Sequence, residues 1–442
     1  MTVPLNPMSK FLASLLLVAA VRIAAADCAM KEAKLAIREH AEADDVAIAD
    51  FNGDGKLDIA FSEMVGRNDT QRKPAGDVRV FLGNGDGTFG KAIVTAFPVA
   101  DESWRPSIVA ADFNGDRKVD LVLADNSNPS HGPQAYVVLP GKGNGTFGKP
   151  SVVAARAVSQ FYNVRAADID GDKKADLVAS ASLNDSSNKI AVMPGTASGL
   201  GKPAAVTFAG KQDIAAELSY RDKFVWELAD LDGNGTVSLV AAPAGLASVD
   251  FFRDTGAGNY GVCTVKISKK HAFEKPACYD SKDENFAPET VAVADFNGDH
   301  HLDIVTGPEE HSYIDSVHHF DVFMNNGKGG FDKKRRPVEA DISKLNTFWA
   351  IHAEDVTGDG KPDIVAVGSK SGGSDTIALV LPGNGDGTFT SSMLAPVPYE
   401  ASANAALVRF GALQGAGTLG FAIYAYEGPT SFVHAYSGRC TK

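Results

Sequence analysis

Six stretches of the chain set oxygen-bearing side chains at alternate positions around a sharp glycine turn. In the first, positions one, three, five and nine are Asp50, Asn52, Asp54 and Asp58, and Lys56 stands at position seven, where the backbone carbonyl is the expected donor. Every second side chain of such a loop points inward, so the run can wrap a hard, oxygen-seeking cation such as calcium. The second loop offers Asp112, Asn114, Asp116 and Asp120 with Lys118 at seven, and the third Asp168, Asp170, Asp172 and Asp176 with Lys174. The fifth has Asp295, Asn297, Asp299 and Asp303 with His301, and the sixth Asp355, Thr357, Asp359 and Asp363 with Lys361. The fourth keeps Asp230, Asp232 and Asn234, with Thr236 at seven, but carries Ser238 at nine and is expected to bind weakly. A helix–loop–helix calcium site would need a Glu at position twelve. That position holds Phe61, Leu123, Ala179, Ala241, Thr306 and Ala366 instead, and the flanks alternate like strands. These are expected to be metal loops within β-hairpins.

The loops recur because the chain repeats. Their opening acids are 62, 56, 62, 65 and 60 residues apart. A seventh copy, Gln414–Phe421, has lost its acids, with Ala412 where Asp50 would stand. Each repeat has a second half in which glycines supply a tight turn before an aromatic residue, as in Val80–Phe89, Val138–Phe147 and Leu381–Phe389. One repeat therefore reads as four antiparallel strands. Seven such repeats predict an all-β fold, a seven-bladed β-propeller of four-stranded antiparallel blades. A linear β-solenoid is the alternative, but its coils are far shorter. The blades are expected near 46–97, 106–154, 163–209, 224–275, 289–338 and 349–397, with the seventh made of 406–440 plus 28–40.

That last assignment follows from a deficit. The final repeat offers only three strands, so the N-terminal segment, with Ala33, Leu35 and Ile37 in alternation, must supply the outer one. Antiparallel pairing then sets Cys28 beside Cys440 and leaves Cys263 to pair with Cys278. Residues 1–26 read as a signal peptide: Lys10, an apolar run from Phe11 to Val21, then Ala24–Ala26 before the mature start at Asp27. Export and an even number of cysteines agree with disulfides in a secreted, extracellular or periplasmic protein with no transmembrane segment.

The formal charge is −13, and it becomes −15 once Lys10 and Arg22 leave with residues 1–26. Nucleic acid is an unsuitable partner for such a surface. The loops hold four acids in the third, two in the fourth and three in each of the others, 18 of the chain's 55. Five calcium ions would reduce −15 to −5, so most of the acidity has a structural purpose and metal binding is expected to be linked to folding.

The Asp-Phe-Asn-Gly-Asp-Gly-x-x-Asp loops and Gly-Asn-Gly-Asp-Gly-Thr-Phe hairpins resemble FG-GAP/VCBS repeats, the type found in integrin α-subunit propellers. The resemblance runs over nearly all of residues 46–426. It implies calcium at the carboxylates named above. It leaves function open, because similar propellers serve as adhesion receptors, fungal lectins and polysaccharide lyases.

If the metal loops occupy one face of the ring, the variable loops lie on the other. Segments leading into the inner strands there carry Trp104, Arg105, Tyr162, Arg221 and Trp349, an aromatic and basic set suited to sugars or peptides. The structural alternative is that these aromatics seal blade junctions. One inner-strand row holds Ala47, Val109, Arg165, Glu227, Ala292, His352 and Arg409, with Glu354 nearby, and is expected to line the central channel. His311, His318 and His319 share a long fifth-blade loop. No zinc-protease, nucleophile-elbow or phosphate-loop motif occurs. The expected function is therefore a monomeric binding or adhesion module for carbohydrate or protein. The alternative is a polysaccharide lyase, for which Tyr162, Arg105 and His311 would be the candidate acid–base and charge-neutralising groups.

Overall fold

The computed structural model describes residues 28–38, 41–65, 75–99, 106–125, 135–154, 158–183, 188–201, 204–206, 226–241, 261–274, 277–280, 290–307, 319–327, 330–332, 335–338, 343, 345–370, 376–397, 408–425 and 432–441. The signal-peptide region, Trp104, Arg105, Arg221, His311 and His318 lie outside them. No helix occurs among the described residues, and none is long and apolar enough to cross a membrane.

Seven four-stranded antiparallel sheets follow one another along the chain. Blade one is Ala41–Ala49, Asp58–Val65, Ala75–Phe81 and Ile93–Phe97. Blade two is Pro106–Ala111, Asp120–Asp125, Ala135–Leu139 and Ser151–Ala154, and blade three Val158–Ala167, Asp176–Leu183, Asn188–Met193 and Ala204–Val206. Blade four is Trp226–Ala229, Ser238–Ala241, Gly261–Lys266 and Ala277–Asp280, and blade five Val291–Ala294, Asp303–Thr306, Asp321–Phe323 and Arg336–Pro337. Blade six is Leu345–Glu354, Asp363–Lys370, Thr376–Leu381 and Met393–Pro396. Blade seven takes Val408–Phe410, Leu419–Ala425 and Phe432–Cys440 from the end of the chain and Cys28–Ala36 from its beginning.

The N-terminal strand pairs with Phe432–Cys440 in a register that sets Cys28 opposite Cys440, and a disulfide joins them across 412 residues. The ring is thus closed by β-pairing and by a covalent bond. Cys263 is also disulfide-bonded and stands directly across its strand pair from Cys278.

The core is divided among the junctions. Seven hydrophobic clusters each draw residues from two adjacent blades. The residue at position two of every aspartate loop keys into the junction with the following blade: Phe51, Phe113, Ile169, Leu231, Phe296, Val356 and Leu413 are all buried. The hairpin aromatic of the next blade meets it edge-on, Phe51 against Phe147 at 6.0 Å and Phe296 against Phe389 at 5.4 Å between ring centroids. Apolar burial of this kind supplies most of the stability. It also anchors each aspartate loop, because the side chain beside its first acid is clamped between blades.

Candidate metal centres and inner-strand ion pairs

The strand that leaves each loop begins at position nine. In five loops that residue is a buried aspartate: Asp58, Asp120, Asp176, Asp303 and Asp363. Each carboxylate accepts at least two backbone N–H groups, and Asp363 a third from Thr357. Asp58 receives Phe51 N and Gly83 N, both at 2.8 Å; Asp120 receives Phe113 N at 3.1 Å and Gly141 N at 2.7 Å. Asp176, Asp303 and Asp363 repeat the pattern with Gly195, Asn325 and Gly383. The position-nine acid thus ties its loop to the hairpin two strands away. Glycine is required at Gly83 because a Cβ there would stand 2.1 Å from the Leu57 carbonyl oxygen.

Position one works within the loop. The Asp50 carboxylate accepts the N–H groups of Gly53, Asp54 and Gly55, and Asp112, Asp295 and Asp355 do the same in loops two, five and six. The N–H at position seven turns to the acid at five, as from Lys56 to Asp54 at 3.0 Å and from His301 to Asp299 at 2.9 Å. These bonds fix the turn; in loop three the oxygens at positions one, three and nine converge, while the acids at position five pair with the lysines at seven in loops one, two and three.

Concentrating carboxylates there has an electrostatic cost. Burial pushes Asp58, Asp120 and Asp303 up to about 6, against the pull of their backbone donors, and the neighbouring loop acids raise them further. Asp176 and Asp363 are raised by burial too. A divalent cation would remove that repulsion, and an all-oxygen set of carboxylates, amide and backbone carbonyl is the donor chemistry calcium takes. The residues of loops one, two, three, five and six fit the ion. Among the described residues, loop three alone gathers three acids with oxygens mutually within 4.8 Å: Asp168, Asp170 and Asp176. Asn or Thr replaces the Asp170 equivalent in loops one, two, five and six.

Loop four does not fit. Ser238 stands at position nine, and directly across the ladder from it is Lys266, whose Nζ forms an ion pair with Asp232. The hairpin N–H of Ile267, which would have met the missing carboxylate, bonds instead to the Val237 carbonyl at 2.8 Å. At the position of Lys266 the other blades carry Leu82, Pro140, Met324 or Pro382. One acid has left and one ammonium has arrived. The sequence reading marked Ser238 but missed Lys266, whose signal was a charge where the other repeats are apolar.

The inner-strand row holds charged groups in pairs. Arg165 forks onto Glu227 of the next blade at 3.1 and 3.3 Å and lies over the Trp226 ring. Arg409 reaches Asp45 at 2.8 Å, and Asp45, set in the bulge between Ala43 and Val46, also accepts Ile108 N at 3.0 Å. One buried carboxylate thereby links blades seven, one and two. His352 stands 3.3 Å from Glu354 and stacks on Phe410 of blade seven at 4.8 Å. Of the aromatic set, Trp349 is half buried against the core shared by blades six and seven. Tyr162 lies in the inner strand of blade three beside a bulge at Asn163, whose φ is 35°.

The repeat loops now have a counterpart among known families. Residues 50–123 and 112–179 match the model of the FG-GAP-like repeat. Residues 50–179 carry FG-GAP-like repeats. No curated protein matches the sequence. Among solved structures, the BP39L lectin of Burkholderia pseudomallei is similar over 89% of this chain and 95% of its own, with 12% identity and a TM-score of 0.55. That likeness is one of fold. An Agrocybe aegerita lectin that recognises non-reducing terminal N-acetylglucosamine matches at 17% identity and TM-score 0.47, over 88% of this chain and 90% of its own. The exotype rhamnogalacturonan lyase YesX matches at 11% and 0.48, over 92% and 75%. These two are too remote to carry an argument. The FG-GAP loops of blades one to three thus lie inside the matched span, and those of blades four to six outside it.

Proposed function

We propose that this chain is a secreted, calcium-stabilised FG-GAP propeller that acts as a binding module for carbohydrate, with a protein ligand as the second possibility, on the face opposite its metal loops. The observation that carries the metal half is the set of five buried position-nine carboxylates, each held beside further acids in a loop clamped between blades. Calcium at those centres would neutralise the loops and lock neighbouring blades; the chain's own residues hold the ion and orient the loop around it. The Cys28–Cys440 bond and the lack of a membrane-crossing helix among the described residues agree with an extracellular or periplasmic setting.

Support for the carbohydrate half comes from the fold it has in common with a lectin, and from the aromatic and basic set of Trp104, Arg105 and Arg221, which precede inner strands in the sequence, and Tyr162 and Trp349, which lie within them. A rigid ring whose variable loops share one side is a natural platform for recognition. A glycan array, followed by a lyase assay on every hit, tests this reading. Binding without cleavage supports it, and cleavage would move the protein to the enzyme class. Because Trp349 packs against a junction, Trp104→Ala is the sharper probe. Weaker binding with an unchanged calcium-dependent melt supports the face, whereas unaltered affinity argues against it.

A further inference from the structure

Loop three has a neighbour that loops one and five lack. Loops one and five lie against the hairpins of blades two and six, and the contacting residue there is a positive-φ glycine. Gly145 and Gly387 donate their N–H groups to the carbonyls of Phe51 and Phe296, in loops one and five, at 3.0 and 2.9 Å. The bridge Ile267–Phe273 aligns the blade-four hairpin with Gly141–Phe147 and Gly383–Phe389 and puts His271 at that position. His271 keeps the left-handed backbone, with φ 57°, and its N–H stays inside its own hairpin on Ser268 O. What reaches loop three is the side chain. Its Nε2 stands 3.2 Å from Asp176 Oδ2 and 3.9 Å from Asp170 Oδ2, with the ring largely enclosed. These are two of the three acids whose oxygens already converge, and the Asp176 oxygen also holds the Ile169 N–H.

From this the geometry points to loop three as a mixed nitrogen–oxygen centre, completed across the blade junction by His271, that takes a transition divalent cation such as zinc in preference to calcium. It rests on the reading that the loops hold divalent cations. The chemistry follows from the donors. Imidazole suits zinc, copper, iron and nickel, whereas calcium takes oxygen ligands. Ligand atoms about 2.1 Å from one ion lie roughly 3.0 Å apart in octahedral and about 3.4 Å apart in tetrahedral shells. The 3.2 Å to Asp176 falls within that range, and the 3.9 Å to Asp170 would have to close by about half an ångström on binding. An imidazole in place of glycine thus changes which ion a repeated loop selects. It also makes the ion a fastener between blades three and four. The competing occupant is internal, since the Lys269 Nζ lies beside Gly171 of the same loop and a charged His271 could neutralise the acids by itself.

The test uses the untagged full chain, saturated with calcium and dialysed against zinc chloride, with both bound metals counted by mass spectrometry. His271→Gly installs the residue that blades two and six carry, so the hairpin should fold. The wild type is expected to hold one more zinc ion than His271→Gly, with equal calcium in the remaining loops. A manganese-loaded wild type should show one nitrogen coupling by electron spin echo that His271→Gly lacks. Asp170→Asn, which copies loops one, two and five, should weaken zinc by at least about 10-fold. Equal zinc counts in wild type and His271→Gly, with calcium still bound, overturn the mixed centre and leave the calcium reading intact. Absence of both metals overturns both.

Discussion

Loops three and four belong to adjacent blades, follow the same β-hairpin plan and begin with the same pair of acids at positions one and three. Loop three carries four carboxylates, three of which converge, and its position-nine acid is buried on two backbone donors. Loop four has exchanged that acid for Ser238 and set the Lys266 ammonium on Asp232. On the proposed reading, the same turn would be stabilised by an external cation in one blade and by one built into the ladder in the next. Backbone shape alone would then not make a metal site; uncompensated buried charge would. That distinction is open to measurement.

Removal of metal should have the largest effect. A site saturated about 100-fold above its Kd contributes roughly 2.7 kcal/mol, so emptying four or five loops should lower the melting temperature by roughly 10 °C or more. A melt that does not move after exhaustive chelation would remove the distinction between the loops altogether.

A change of pH comes next. Asp58, Asp120 and Asp303 have folded pKa values near 6, above the ordinary 3.8, so the metal-free fold holds their protons more tightly than the unfolded chain does. Their stabilising contribution is present below about pH 4 and lost as pH rises through about 6. Chelated protein should gain several degrees on moving from pH 7 to 5, whereas calcium-loaded protein should lose stability as protons displace the ion. Parallel behaviour of the two samples would contradict the electrostatic account.

Within the pair itself, Asp168→Ala should reduce bound metal by one and the metal-dependent melt by about 2–3 °C. Asp230→Ala should leave the metal count unchanged and shift the melt by less than about 1 °C. Equal losses would place loop four among the binding loops. The smallest expected effect is the most discriminating. Ser238→Asp combined with Lys266→Leu restores to loop four the residue types of loop one, and should add one calcium while moving the melt by only about 1–2 °C. No additional metal would mean that something besides the acid and the ammonium separates the loops.

Much of this was legible in the chain alone. The spacing of the opening acids gave the blade number, because a repeat that cannot bury its faces alone must stack on copies of itself. Counting strands in the last repeat predicted that the N-terminal segment would complete blade seven and that Cys28 would meet Cys440. The alternating oxygens of Asp50, Asn52, Asp54 and Asp58 were visible for the same local reason: they belong to one short loop, and local geometry is written in local spacing.

Contacts between blades were not legible. His271 lies 95 residues from Asp176, and Asp45 is 364 from Arg409. Nothing in spacing or composition links such pairs, because ring closure and blade-to-blade packing decide which hairpin rests on which loop. The sequence by itself determined the repeats, the loops and the closure, since each follows from period and hydrogen-bonding capacity. The tertiary structure alone decided which loops face an imidazole, an ammonium or a glycine, because those neighbours come from the next blade and depend on how two sheets pack.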